Sequence, residues 1–179
     1  AGYKGWQVLQ LSHENKININ FVYFYKSKLN SKFYENIKKI CIKNKINFKI
    51  ISVRNIENHK LSKSYKSFFI GWQFKMNVKS NSFVFHDSLL PSYIGHSPTV
   101  AALINGDKRI GISLFKPAIK LDSGKVIYQK EIKIEYPVKI YDVYEKITRS
   151  IFEVIFKLIN KKTIKFKNKN YKKKFSIWR

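Results

Sequence analysis

Short apolar runs alternate along the chain with segments of helical spacing. Runs at residues 19–25, 48–53 and 68–70 are rich in aromatic and β-branched residues, as in strands buried on both faces. A helix through about Asn15 precedes the first run, and a second helix, which Ser31 can cap, follows it. Strands that alternate with helices predict an α/β fold: a Rossmann-like, open, mostly parallel twisted sheet with helices on both faces.

The next apolar run, residues 83–85, ends at a histidine. His86 is followed by a loop punctuated by prolines and a glycine, which leads into a helix predicted over residues 98–104. In an open α/β sheet, ligands bind beyond the carboxyl ends of the strands. A titratable imidazole at that edge, followed by a rigid loop, therefore predicts an active site.

The last third of the chain completes this pattern and then changes composition. Strands are predicted at residues 112–115 and 126–134, and a long amphipathic helix is predicted beyond Pro137. Residues 161–174 are dense in lysine and asparagine, and an alternation of apolar residues there favours a solvated strand and turn over a basic tail. We expect a catalytic domain over residues 1–160 and the basic start of a C-terminal extension over residues 161–179.

Composition narrows the class of protein. The 179 residues suit one domain with a sizeable core, no apolar run reaches the length of a membrane span, and no signal peptide is visible, so a cytoplasmic location is the default expectation. Cys41 falls on the apolar face of a predicted helix and is expected to be a packed core thiol. One cysteine and four scattered histidines do not form a metal-ligand cluster, so no metal is expected.

The net charge of +25 raises the question of a nucleic-acid partner. The 32 lysines greatly outnumber the 4 arginines and are spread over the whole chain, whereas arginine is the better bidentate phosphate ligand. We interpret the charge mainly as compositional drift, although it would still steer an anionic substrate toward the protein.

Two blocks of the sequence combine polar and turn-forming residues. The first is His-Asp-Ser-Leu-Leu-Pro at residues 86–91, followed by Gly95, Pro98 and the segment 101–107. The second is Gly-Ile-Ser-Leu-Phe at residues 111–115, followed by Leu-Asp-Ser-Gly-Lys-Val-Ile at residues 121–127. Both blocks resemble the folate-dependent formyltransferases, such as methionyl-tRNA formyltransferase and the N-formyltransferases of amino-sugar nucleotides. The resemblance extends over nearly the whole chain to about residue 160.

The resemblance implies residue roles and a co-substrate. His86 and Asp122 occupy the catalytic positions of the family. The resemblance also implies a pocket for the formyl donor, 10-formyltetrahydrofolate, lined by Leu89, Leu90, Pro91, Gly95 and, past a strand end, Trp72. The implied acceptor is a small molecule that carries a primary amine, and we expect this molecule to be anionic. Taken singly, each catalytic candidate has a plain structural alternative: a strand-end histidine and an Asp-Ser-Gly turn.

The sequence also departs from the family pattern. Val84 stands where the family has a catalytic asparagine, and Ile94 stands where it often has arginine before the loop glycine. The chain is either a branch with a different oxyanion donor or a weakened enzyme. His86 in its cationic form, or backbone N–H groups at Leu89 and Leu90, are the replacement donors suggested by the sequence.

Three functions remain open at this point. An amino-sugar nucleotide is the preferred acceptor, because the ending around Trp178 resembles that of sugar-nucleotide formyltransferases. The second possible function is the formylation of methionyl-tRNA. The third is RNA binding by a basic module on an inactive formyltransferase fold. The resemblance further implies a central strand ahead of Ala1, so a piece without that strand is expected to fold poorly. The sequence leaves the oligomeric state open.

Overall fold

A computed structural model of the chain describes residues 2–25, 31–51, 64–72, 81–119 and 122–164. Within these ranges the chain forms four helices and six strands. In chain order they are α1 (Tyr3–Glu14), β1 (Phe21–Tyr25), α2 (Ser31–Lys43), β2 (Asn47–Ile51), β3 (Ser67–Ile70), β4 (Ser82–His86), α3 (Pro98–Ile104), β5 (Arg109–Phe115), β6 (Val126–Lys133) and α4 (Ile140–Ile159).

The described strands form two open sheets. β1 and β2 pair in parallel, and the second sheet has the order β3-β4-β5-β6. β3 and β4 are parallel, whereas β5 is antiparallel to both β4 and β6. β3, β4 and β6 therefore run in one direction and β5 is reversed. The predicted α/β class with an open, mostly parallel sheet is confirmed, and β5 is the strand that departs from it.

Two apolar clusters hold the elements together. The larger one joins the four-stranded sheet to α3 and α4, with Ile112, Leu114, Val143, Ile147 and Ile151 completely buried. The smaller one joins α1 and α2 to β1 around Phe24 and Cys41. Cys41 is 0% exposed, which confirms it as a core thiol, and burial raises the pKa of its thiol to about 11.

A groove separates the two sheets. Its volume is about 760 Å³, and it is lined by residues 17–25 along β1 and by residues 64–72 along β3. Val8 and Leu9 of α1 and Ile155 of α4 also line it. No pairing between β1 and β3 occurs among the described strands. Each of these two strands therefore presents a backbone edge to the groove.

Most predicted elements agree with the structure to within two or three residues. The helix at residues 98–104 agrees at both ends, and His86 is the last residue of its strand. The predicted link at residues 56–64 falls mainly outside the described residues, as do His59, the side chain of Ser31, Trp178 and the basic segment from residue 165 onward. No helix in the described part of the chain is long and apolar enough to cross a membrane.

Candidate active site

His86 lies at the carboxyl end of β4, an interior strand flanked by β3 and β5. Its side chain is 9% exposed, and its Nε2 lies 2.8 Å from the carbonyl oxygen of Tyr93. A carbonyl oxygen only accepts hydrogen bonds, so Nε2 must carry a proton. In the neutral ring Nδ1 is then the unprotonated nitrogen, and it lies 3.7 Å from Oδ2 of Asp122.

Asp122 reaches His86 from the segment that leads into β6. Its backbone is left-handed, with φ of 51°, a conformation in which aspartate and asparagine are enriched among residues with a side chain. Its Oδ2 accepts a hydrogen bond of 3.0 Å from the N–H of Gly95, and the side chain is 8% exposed. The carboxylate therefore joins the loop after His86 to the segment before β6, and the two catalytic candidates, His86 and Asp122, lie side by side.

The environment of His86 favours the neutral ring. Burial lowers the pKa of His86 below its ordinary value, and the positive charge of Lys4 acts in the same direction. The carboxylate of Asp122 and the hydrogen bond to Tyr93 oppose this shift. The distance of 3.7 Å is too long for a direct hydrogen bond, so the lone pair of Nδ1 is available to a proton arriving between the ring and the carboxylate.

Polar side chains from the neighbouring strands fix the loop that follows His86. Oγ of Ser113 on β5 donates to the carbonyl of Ser88 (2.6 Å) and accepts from the N–H of Leu90 (2.9 Å). Nε2 of Gln129 on β6 donates to the carbonyl of Leu90 and to Ser113 Oγ, both at 2.8 Å. The peptide bond between Leu90 and Pro91 is cis. Because the N–H of Leu90 is already bonded, it is not the oxyanion donor suggested by the sequence.

The residues predicted to bind the formyl donor are not all placed together. Trp72 and Gly95 line the cleft that contains His86. Leu89 and Leu90 are only 6% and 5% exposed and are not among the residues described as lining the cleft. Leu89 packs so closely on β5 that a Cβ at Gly111 would lie 2.6 Å from its Cδ2. Pro91 is exposed.

The cleft has a volume of about 330 Å³ and two kinds of wall. One wall is aromatic, with Tyr3 as its centre: its ring centroid lies 5.5 Å from that of Tyr141 and 5.6 Å from that of Phe33. The other wall is polar and carries His86 and Asp122. Thr99 also lines the cleft, and its buried Oγ1 has no hydrogen-bond partner among the residues that the structure describes.

Lys4 and Asp87 are cleft residues that the sequence did not single out. Lys4 is the second residue of α1, and its Nζ forms an ion pair with Oδ2 of Asp87, the residue directly after His86. The local signal was weak: a lysine between two glycines, at the start of a helix where cations are disfavoured. Nothing in the sequence places the start of α1 beside the end of β4.

Comparison with known proteins gives one family. Residues 65–158 match the family model described as formyl transferase. A methionyl-tRNA formyltransferase of Borrelia duttonii is 34% identical over 76 residues, which are 42% of this chain and 25% of that protein. The chain thus spans about a quarter of the length of this curated relative.

Solved structures share the fold. A phosphoribosylglycinamide formyltransferase of Bacillus halodurans superposes with a TM-score of 0.64 at 17% identity, covering 88% of this chain and 90% of the other. WlaRD, a sugar 3N-formyl transferase solved with dTDP and 5-N-formyl-THF, gives a TM-score of 0.62 at 20% identity, covering 97% and 66% of the two chains.

Proposed function

The chain belongs to the folate-dependent formyl transferase family, and from this premise we propose that it transfers a formyl group from 10-formyltetrahydrofolate to a primary amine. The observation that carries the proposal is the meeting of His86 and Asp122, 3.7 Å apart at the carboxyl end of β4. The two residues come from separate sequence blocks and share a small buried cleft. A strand-end histidine or a turn aspartate taken alone would not require this arrangement.

The two side chains have complementary tasks in such a transfer. The acceptor amine must lose a proton, and the leaving nitrogen must gain one. Nδ1 of His86 accepts the proton, while the bond from Nε2–H to Tyr93 holds the ring in place. Asp122 then stabilises the imidazolium and, through Gly95, fixes the loop around it.

The cleft suits part of the formyl donor. Its volume of about 330 Å³ lies at the lower end of the range for ligand sites. The buried hydroxyl of Thr99 can satisfy a polar atom of a bound molecule. When bound, 10-formyltetrahydrofolate supplies the formyl group as a co-substrate. Gly95 and Trp72 line the cleft beside it, while Leu89 and Leu90 support the loop from the interior.

We propose an amino-sugar nucleotide as the preferred acceptor. The aromatic wall offers exposed ring surface at the cleft, and Tyr141 is 59% exposed. A planar base can stack on such a surface, whereas a free sugar gains less from it. The net charge of +25 favours the approach of the diphosphate.

Methionyl-tRNA is the second candidate acceptor. The same net charge favours an RNA, and the Borrelia duttonii relative is named for this substrate. A protein that only bound RNA would show salt-dependent retention of RNA without any affinity for folate. Folate binding therefore separates both enzymatic readings from the RNA-binding module.

The experiment is a formylation assay with a panel of acceptors. The chain is incubated with 10-formyltetrahydrofolate and, separately, a dTDP-linked amino sugar, methionyl-tRNA and glycinamide ribonucleotide, and the formylated product is measured by mass spectrometry. We expect product with the sugar nucleotide, and loss of that product in His86→Asn and Asp122→Asn variants. A protein that binds no folate and formylates none of the three acceptors would overturn the proposal.

A further inference from the structure

Lys4 and its partner Asp87 are charged residues of the cleft to which the proposed function assigns no task. Nζ of Lys4 is paired with Asp87 and lies 5.0 Å from the centre of the Tyr144 ring. The lysine side chain is only 21% exposed, although lysines are among the residues least often buried. Of the residues described as lining the cleft, Lys4 is the only lysine or arginine.

The stability of α1 does not account for this position. The first turn of a helix disfavours cations, and taking an ammonium group out of water costs free energy. Burial lowers the pKa of Lys4 to about 8, so the group is still mostly charged at neutral pH. Asp87 and the ring of Tyr144 offset part of the cost. A charge held at a cleft against such costs is typical of a functional site.

Formyl transfer needs a hydrogen-bond donor for its oxyanion, and three of the candidate donors near His86 either lack a hydrogen or already use it. Val84 has no side-chain donor. The N–H of Leu90 donates to Ser113, and the Nε2–H of His86 donates to Tyr93. Nδ1 of His86 must be unprotonated when it accepts the proton of the amine, so at that moment it has no hydrogen to donate.

We propose that Lys4 is a catalytic residue of this site, whose ammonium group donates a hydrogen bond to the oxyanion formed during formyl transfer. This inference rests on the proposed function. The ammonium replaces the side-chain amide that Val84 lacks, and Asp87 holds it beside His86 between turnovers. A cationic donor stabilises an oxyanion more strongly than a neutral one.

The step balances with the residues present. The amine nitrogen bonds to the formyl carbon, and the carbonyl π pair moves onto the oxygen, where Lys4 donates its hydrogen bond. The amine proton passes to Nδ1 of His86. When the C=O bond re-forms, the bond between the formyl carbon and the folate nitrogen breaks, its electron pair stays on that nitrogen, and the nitrogen takes the proton from His86.

The test compares two folate analogues by calorimetric binding to the whole chain. One carries a phosphonomethyl group on N10, which presents tetrahedral anionic oxygens in place of the formyl group; the other is its neutral dimethyl ester. For Lys4→Met we expect affinity for the phosphonate to fall by about 10²-fold, the scale of one oxyanion donor, with little change for the ester. Lys4→Arg, which keeps the charge, should retain most of the phosphonate affinity.

Controls separate the contact from the general loss of a positive charge. Lys146 is exposed on α4, so Lys146→Met removes the same charge away from the cleft and should leave both affinities unchanged. If Lys4→Met unfolds because Asp87 is left unpaired, Lys4→Met with Asp87→Asn removes both charges and gives the same comparison.

The outcomes distinguish this inference from the proposed function. If the unaltered chain binds neither analogue, the folate-dependent function fails and the role of Lys4 fails with it. If it binds both analogues and Lys4→Met weakens them equally or not at all, the function stands and Lys4 is not the oxyanion donor. With any acceptor that is formylated, Lys4→Met should lower kcat and leave the KM for the formyl donor nearly constant.

Discussion

Asp122 shows how one residue serves both the backbone and the site. Its left-handed φ of 51° disfavours most side chains, and its carboxylate meets both Gly95 and His86. Asparagine tolerates the same backbone conformation and keeps an oxygen that can accept the bond from Gly95. The Asp122→Asn substitution therefore removes the charge with little other change.

For Asp122→Asn we expect turnover to fall by at least about 10²-fold, on the scale of general acid–base catalysis, because the imidazolium of His86 loses its counter-charge. Donor binding should change much less, as measured by calorimetry with 5-formyltetrahydrofolate. Asp122→Gly, which keeps the backbone freedom and removes the side chain, is the matched comparison and should also loosen the loop at Gly95. Turnover within a few-fold of the unaltered chain would make Asp122 a turn residue only.

Position 84 allows the missing amide to be restored. Side chains alternate along a strand, so Val84 is expected on the same side of β4 as His86. In the Lys4→Met background, Val84→Asn should recover part of the lost turnover, because it installs a second kind of oxyanion donor. Recovery will be incomplete, since an amide at this half-buried position must also satisfy its remaining polar atoms. A folded double variant that binds donor and recovers nothing would show that residue 84 does not face the reacting carbon.

The buried imidazole also makes stability depend on pH. The pKa of His86 in the folded chain is lower than its value of 6.5 when unfolded, mainly through burial. The unfolded state therefore binds a proton more readily as pH falls below 6.5, and the folded state loses stability there. We expect the midpoint of thermal unfolding to decrease between pH 7.5 and pH 5, and to decrease less in His86→Gln. An equal decrease in both proteins would place the titrating group elsewhere.

At the scale of residues, the sequence predicted the site only where local pattern and family resemblance coincided. His86 and Asp122 sit in recognisable blocks, and the structure brings them together. The sequence around Lys4 does not predict its place in the site, because its partner, Asp87, is 83 positions away in the chain. The family resemblance implies that Leu89 and Leu90 line a ligand pocket, whereas their side chains pack in the interior.

At the scale of elements, chain length between strands explains the one departure in the sheet. Only residues 116–125 separate β5 from β6, which is too short for the helical crossover that parallel strands need. The antiparallel pair could therefore have been inferred from spacing. The direction of β5 relative to β4 could not have been inferred in this way. Residues 87–108, which connect the two strands, include α3 and are long enough for a parallel or an antiparallel pairing.

The reversed strand places Ser113 under the loop that follows His86, and this gives an element-level prediction. Ser113→Ala removes the group that bonds Ser88, Leu90 and Gln129 together. We expect a loss of about 1–3 kcal/mol in unfolding free energy, the cost of leaving buried polar groups unsatisfied, together with a higher KM for the formyl donor. Chemical denaturation and steady-state kinetics measure the two effects.

Gln129→Leu provides the comparison for that network. It removes the bonds to Leu90 and to Ser113 Oγ, and it leaves the bond between Ser113 and Ser88 intact. Because both side chains act on one loop, the double variant should cost less than the sum of the two single variants. Strict additivity would indicate that the loop is held independently by each residue.

At the scale of the whole molecule, the groove between the sheets lies between two strand edges that have no strand partner among the described strands. β1 and β3 expose backbone edges along its length of about five residues. A strand of five residues is about 17 Å long, at about 3.3 Å per residue, and β1 has this length. The groove, with a volume of about 760 Å³, runs along β1 and β3 and therefore has the length that one added strand would span.

The dimensions lead to a prediction for an added strand. Tyr25 is the last residue of β1, and Trp72 comes shortly after the end of β3; both line the groove. Gly2 and Gly5 line the groove beside them, so an extension ahead of Ala1 would enter the groove at the carboxyl ends of these two strands. Five apolar, β-branched residues fused there should pair with both edges and bury their side chains against Val8 and Ile155. We expect a higher and sharper thermal transition than in the chain as given, because the added strand pairs two open edges and buries apolar area. An extension of five glycines and serines is the matched control, since it has the same length without apolar area. If both extensions give the same midpoint, the groove does not accept a strand.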